Sequence, residues 1–482
     1  MSDSNIQTYD VVVIGAGPVG ENVADRTRAA GLRTVIVESE LVGGECSYWA
    51  CEPSKALLRP AHLYREAAHF PGVGTAISSP LDAAAVLKHR DRMAAEWNDR
   101  GQLDWLESVG VDLVRGHGRL EGPKQVAVHT PEGNTVRLLA RHAVAVCTGT
   151  TAALPPLPGL DALRPWTSRE ATSAQEVPGR LAILGAGVVA TEMAAAWQAL
   201  GAQVTLIARD ARLLGRVEDF AADLVAERLR EAGVDLRFET TITTAERTDG
   251  VVHLTLADGT HLTADELLLA TGRAPRTGDL GLGTVGLAPG VWLTTDDTFT
   301  VAGIEGEWLY AVGDVNRRAL LTHQGKYQAR VAGAVIAARA LGSELDTGRY
   351  GRHVATADHE AVPQVVFTDP EIAAVGLTTA DAARTGRTVD VVDYDIGLVA
   401  GAIQHDPGYR GRARILIDPQ RQIVLGATFA GRGVAELLHS ATIAITGEVP
   451  LDRLWHAVPA FPTIGEVWLR LLETYRDQRE AS

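Results

Sequence analysis

Cys46 and Cys51 lie five residues apart, preceded by Gly43-Gly44 and followed by Lys55. In a reducing compartment, such a close pair does redox chemistry or binds metal more often than it staples a fold. A metal would need two further ligands, and neither a third cysteine nor a tight histidine cluster stands nearby in the sequence. Cys147, the remaining cysteine, sits in a continuous apolar run and reads as an inert core residue. Lysine is scarce: positions 55, 88, 124 and 326 hold the only four, against about ten times as many arginines. Lys55 is therefore a pointed choice beside a cysteine pair.

The elements that must position these residues open with Val11-Val12-Val13-Ile14, a run that predicts a buried strand. Gly15-Ala16-Gly17-Pro18-Val19-Gly20 follows, then a predicted helix from Glu21 to Ala30 and a second strand, Thr34 to Val37, closing on Glu38. Between a strand and a helix, Gly15, Gly17 and Gly20 let a pyrophosphate approach the helix N-terminus, and Glu38 can accept both hydroxyls of an adenosine ribose. The same unit recurs. Leu181-Ala182-Ile183-Leu184 leads into Gly185, Gly187 and Ala190, with Gly15 to Gly31 in register with Gly185 to Gly201. A repeated nucleotide-binding unit implies two bound dinucleotides.

The second copy differs where the ribose would sit. Ala208 stands opposite Glu38 and is followed by Arg209, with Arg212 just beyond. An acid there repels a 2′-phosphate and an arginine attracts it, so this site is expected to favour NADPH over NADH, with NADH also admitted. Each unit closes on an apolar strand ending Thr-Gly, at Thr148-Gly149 and at Thr271-Gly272-Arg273. Leu154 to Gly159 reads as a proline-rich linker, and Trp308 to Val312 as a further strand ending in Gly313-Asp314. Beyond about residue 350 the strand-like runs carry no dinucleotide motif, which predicts a third, α+β domain.

With these motifs in place, the chain resembles the class I pyridine nucleotide-disulfide oxidoreductases of the dihydrolipoamide dehydrogenase, glutathione reductase and mercuric reductase type. The resemblance rests on Gly43-Gly44-Glu45-Cys46-Ser47-Tyr48-Trp49-Ala50-Cys51-Glu52-Pro53-Ser54-Lys55, Tyr310 to Asp314, Thr322 to Ala329 and Phe367 to Glu371. It implies an α/β fold of two Rossmann-like dinucleotide-binding domains, the second inserted in the first, plus an α+β C-terminal dimerisation domain. The expected boundaries are 1–153 and 276–350 for the FAD-binding domain, 154–275 for the NAD(P)H-binding domain and 351–482 for dimerisation. The cofactors implied are FAD on the first unit and NAD(P)H on the second, in a homodimer.

By the same resemblance, Cys51 would sit against the flavin as thiolate and Cys46 would attack the substrate. If the two bond, the helix must start irregularly there, since residues five apart in a regular helix lie about 8–9 Å apart and a disulfide needs less than about 7 Å; Gly43-Gly44 supplies the freedom. Lys55 would stand near flavin N5, paired with Glu192. Asp314 and Thr322 would meet the flavin half of FAD and Gly118 the adenosine half, Thr148 and Gly149 would also bind cofactor, and Gly272 and Arg273 would line the nicotinamide nucleotide channel.

One departure bears on mechanism. The family's C-terminal His-Pro-Thr, whose histidine is the acid/base, is matched here by Phe461-Pro462-Thr463, with its glutamate present as Glu466. Phenylalanine cannot move a proton, and such catalysis is typically worth about 10²–10⁴-fold. His456 could stand in, although a surface histidine is the plainer reading. Glu45 and Glu52 could carry a proton, but anions beside the cysteines disfavour a thiolate. No cysteine follows Cys147, so no C-terminal thiols relay electrons or bind metal.

Composition narrows the partners. A net charge of −15 argues against nucleic acid and anionic membranes, and no apolar run reaches the roughly 18 residues of a span. The polar start, Met1 to Asp10, adds no targeting core, so a cytoplasmic enzyme is expected. The leading expectation is an FAD-dependent, NAD(P)H-linked disulfide oxidoreductase acting on a small-molecule or protein-carried disulfide. A quinone or metal-ion reductase, diaphorase-like, is the alternative that Phe461 suggests. A flavoprotein serving mainly as a binding subunit is the third.

Overall fold

The computed structural model describes residues 6–481, so the first five residues of the polar start lie outside it. The chain divides into two compact units, one of residues 1–53, 91–153 and 273–359, the other of 54–90, 154–272 and 360–482.

In the first unit, strand Ile6–Ile14 lies parallel to Thr34–Glu38 on one side and Thr135–Val146 on the other, with Ile14 facing Val37 and Val146. Asp112–Arg115 extends the parallel sheet, and Leu309–Ala311 joins beside Thr135–Val146. Two antiparallel strands, Gln125–His129 and His117–Gly122, complete it. Val11, Val12 and Val13 are fully buried, because both faces of the sheet are covered. One face packs on Val23, Ala24, Ala329 and Ala332 of two helices, Pro18–Ala29 and Thr322–Ala340. The helix predicted from Glu21 begins at Pro18, whose fixed φ and missing N–H suit a first turn.

In the second unit, Asp235–Arg237, Gln203–Ile207, Arg180–Leu184 and Glu266–Leu269 form a four-stranded parallel sheet in that order. Helix Val188–Ala199 follows the second glycine turn, and its alanine-rich face lets Trp197 bury completely. A three-stranded antiparallel meander, Ile242–Thr248, Val251–Leu256 and His261–Ala264, lies after it in the chain. Residues beyond 360 form a five-stranded antiparallel sheet in the order Gln364–Val366, Glu371–Gly376, Ile423–Gly431, Arg412–Asp418, Asp390–Asp395. Helices Leu438–Thr446 and Val467–Glu480 cover it, their core including Phe429, Ile415, Leu471 and Tyr475. The α+β character expected beyond residue 350 is this sheet. No helix among the described residues is long and apolar enough to cross a membrane.

Candidate active site

Gly43 and Gly44 both adopt positive φ, 112° and 58°. A side chain on Gly44 would come within 2.8 Å of Gly17 Cα, so the cysteine segment lies directly against the first glycine turn. The short helix Gly44–Tyr48 carries Cys46; Trp49, at φ −138°, breaks it; and Cys51 opens the long helix Cys51–His69. The irregularity expected at the paired glycines thus continues between the cysteines, which occupy two helices. Both are half-buried thiols. Thr322 Oγ1, at the start of Thr322–Ala340, lies 3.3 Å from each sulfur. The Cys51 sulfur and burial push the Cys46 thiol up, and Thr322 works against them.

Glu45, beside Cys46, is held by Arg276, whose Nη2 donates to its Oε1 at 2.6 Å. The anion that sequence reasoning set against a thiolate is thereby neutralised, whereas exposed Glu52 still raises Cys46.

The first glycine turn fits a bound dinucleotide. Gly15 has φ +100°, and a side chain on Gly20 would strike Gly15 O. Glu38 accepts from Ala16 N at 2.7 Å through Oε2 and from Glu40 N through Oε1, which fixes its carboxylate beside the turn. A side chain on Gly118 would stand only 3.0 Å from Val37. Thr148 Oγ1 is buried without a hydrogen-bond partner, beside Gly149 at φ +66°. Burial raises the Asp314 carboxyl, and Thr150 opposes this with a 3.0 Å hydrogen bond. Arg273 donates to Thr150 through Nε and Nη2, both at 2.9 Å, so this residue sits with Asp314 in the first unit. An orphaned hydroxyl, a glycine cradle and the acids Glu38 and Asp314 fit a bound dinucleotide.

In the second unit, Gly185 at φ +138° approaches Ala270, whose O lies 2.3 Å from a would-be side chain. Ala190 is fully buried, so a methyl group suffices for close helix–sheet contact there. Ala208 is buried, while the Arg209 side chain is 83% exposed with Asp210 3.9 Å away; Arg212 is engaged by Asp219. Lys55 Nζ donates to Glu192 Oε2 at 2.9 Å, and Glu192 Oε1 accepts from Phe367 N at 2.9 Å. The ammonium also lies 4.9 Å from the Phe367 ring centroid.

Phe461 is 75% exposed. Glu466 is buried, with Oε1 on Arg470 at 2.6 Å and Oε2 without a partner. His456 is exposed.

Residues 9–335 match the pyridine nucleotide-disulphide oxidoreductase family, and residues 362–471 match its dimerisation domain. The chain belongs to that family. Over 96% of its length and 96% of the relative's, it is 33% identical to dihydrolipoyl dehydrogenase 3 of Pseudomonas aeruginosa. It is 28% identical to mercuric reductase of Staphylococcus aureus, covering 95% of this chain and 81% of that one. Among solved structures, the HOCl-induced flavoprotein disulfide reductase of Escherichia coli, as its Cu(II) complex, superposes with a TM-score of 0.83 at 22% identity, over 97% of this chain and 99% of that one. The fold is thus that of FAD/NAD(P)-binding Rossmann-like domains with an antiparallel-sheet dimerisation domain, and the protein is an oxidoreductase of the flavoprotein disulfide reductase family.

For a member of this family, several polar residues at the site carried no sequence signal. Thr150 links Asp314 to Arg273, and Arg276 holds Glu45. Glu21 stands in the first helical turn with a buried, unpartnered Oε1, and burial raises its carboxyl to about 7. An acid one residue after the third glycine was the visible sign of Glu21. The other partners are distant in sequence and have none.

Proposed function

We propose that this chain is an FAD-dependent, NAD(P)H-linked oxidoreductase in which Cys46 and Cys51 cycle between dithiol and disulfide to reduce a disulfide-bearing acceptor. The observation that carries this reading is the single Thr322 hydroxyl placed 3.3 Å from both sulfurs, which sets the two thiols on one polar group. Bound FAD would supply a two-electron acceptor for hydride from the nicotinamide and the link to the cysteine pair. Gly15, Gly17, Gly20, Glu38, Gly118, Thr148, Gly149, Asp314 and Thr322 would hold it. Cys51 is assigned to the flavin side. Cys46 is the nucleophile that attacks the acceptor's S–S bond, forming a mixed disulfide and releasing the first acceptor thiol; Cys51 then attacks Cys46 Sγ, releasing the second acceptor thiol and closing Cys46–Cys51.

Lys55 would supply a positive charge to bound flavin, and Glu192 offsets the cost of burying it. Gly185, Gly187, Ala190 and Gly272 serve the nicotinamide nucleotide or its approach. The exposed Arg209, with Arg212, favours NADPH over NADH. The chain works as a cytoplasmic homodimer, with FAD-binding residues 1–153 and 276–350, NAD(P)H-binding residues 154–275 and dimerisation residues 351–482. Glu466 takes part in proton transfer through its free Oε2.

A second reading draws on Phe461 and on the similarity to a mercuric reductase: the acceptor is a quinone or a metal ion, which needs no histidine-assisted proton transfer. Anaerobic titration with NADPH tests the first reading. Uptake of four electrons and a long-wavelength thiolate–flavin absorbance support it, and uptake of two without the band overturns it. Cys46→Ser then separates the readings, since quinone reduction survives the change and disulfide reduction does not.

A further inference from the structure

Ala95, Glu96 and Trp97 adopt φ of 48°, 52° and 54° in succession. Non-glycine residues visit the left-handed region singly, because Cβ crowds the following carbonyl, and three in a row form a strained left-handed turn. Trp97 N and Asn98 N close it onto Ala94 O and Ala95 O at 2.9 and 3.0 Å. Ala95 and Glu96 are exposed, so no buried contact of theirs explains the strain.

The turn's product is the placement of one side chain. Trp97 Nε1 donates to Tyr48 O at 3.1 Å. Tyr48 ends the short helix that carries Cys46, three residues before Cys51, and the last carbonyls of a helix have no partner within it. The same stretch grips this segment twice more. Asp99 Oδ2 accepts from Val42 N at 2.9 Å, and Gln102 Oε1 accepts from Tyr48 Oη at 3.3 Å. Tyr48 is 1% exposed, so its peptide has no water to fall back on if the indole leaves.

We propose that Trp97 is a positioning residue for the Cys46–Cys51 couple. Its indole N–H fixes the peptide between the two cysteines, and the strained turn exists to deliver it there. Holding that peptide in the dithiol state keeps the thiols close, which raises their effective concentration and favours the disulfide. This inference rests on the reading of the two cysteines as a redox pair.

The test is the dithiol–disulfide equilibrium of the holoenzyme in glutathione buffers, read by acid quench, alkylation and mass. In Trp97→Phe, which removes the N–H and keeps an aromatic ring, the equilibrium constant for the disulfide falls threefold to tenfold, tenfold being about 30 mV for a two-electron couple. Glu96→Gly, which relieves the turn and keeps the indole, leaves it unchanged. If the wild-type chain forms no Cys46–Cys51 disulfide at any poise, the redox-pair reading itself fails. If it does, and Trp97→Phe lowers the constant less than threefold relative to wild type, or Glu96→Gly shifts it as far as Trp97→Phe, the positioning role is overturned while the redox pair stands.

Discussion

Lys55 Nζ lies 2.9 Å from Glu192 Oε2, across 137 residues of sequence. The Glu192 side chain is 4% exposed and that of Lys55 36%, so the carboxylate depends on the pair more than the ammonium does. Lys55→Met leaves the buried Glu192 carboxylate hydrogen-bonded to Phe367 N at 2.9 Å but without its cation, and destabilises the chain by about 2 kcal/mol, below the full buried-pair range because Lys55 is partly solvated. Glu192→Gln retains an acceptor for Phe367 N and costs about 1 kcal/mol. Urea unfolding of both variants and of the double variant measures this; strict additivity of the two costs would show that the pair is not coupled.

Thr322→Val removes the hydroxyl that pulls the Cys46 thiol down. With burial and Cys51 unopposed, Cys46 titrates still higher, and its thiolate fraction at pH 8 falls. Its alkylation by iodoacetamide in the reduced protein slows several-fold, and Thr322→Ser restores the rate. Equal rates in wild type and Thr322→Val would remove the hydroxyl from the account.

Asp369 is held by Arg432 at 2.9 and 3.1 Å and by Arg65 at 3.1 Å, and these arginines overcome burial to bring its carboxyl down to about 2. A carboxyl depressed on folding contributes stability above its unfolded value near 3.8 and loses it as pH falls toward 2. That contribution is about 2 kcal/mol at neutral pH. Asp369→Asn is accordingly less stable at pH 7, and the gap from wild type closes between pH 4 and pH 2 in acid denaturation. A gap that stays constant across that window would refute the linkage.

Phe461→His supplies a titratable ring at an exposed position five residues before Glu466. Turnover of a disulfide substrate rises at least tenfold in this variant and acquires a pH dependence near 6.5 to 7, within the roughly 10²–10⁴-fold span of general acid–base catalysis. Quinone turnover is unmoved. Phe461→His with no gain on any disulfide at any pH would point to an acceptor outside the disulfides.

The sequence by itself determined the repeated glycine turns, the strand runs that feed them and the cysteine pair with Lys55. Each is a local pattern: a backbone that must let phosphate approach needs glycine at fixed spacing, whatever surrounds it. The helix boundary at Pro18 and the break at Trp49 were less legible, because helix ends depend on which backbone groups find partners nearby. Tertiary structure alone decided which polar groups meet. Arg276 on Glu45, Thr150 between Asp314 and Arg273, and Trp97 on Tyr48 join residues 231, 164, 123 and 49 positions apart. Their partners are chosen by burial and chain crossing, which leave no periodic trace. The electrostatics followed from the same meetings: two acids flank Cys46 in the sequence, and only the fold shows that Arg276 quiets Glu45 while Glu52 still presses the thiol upward.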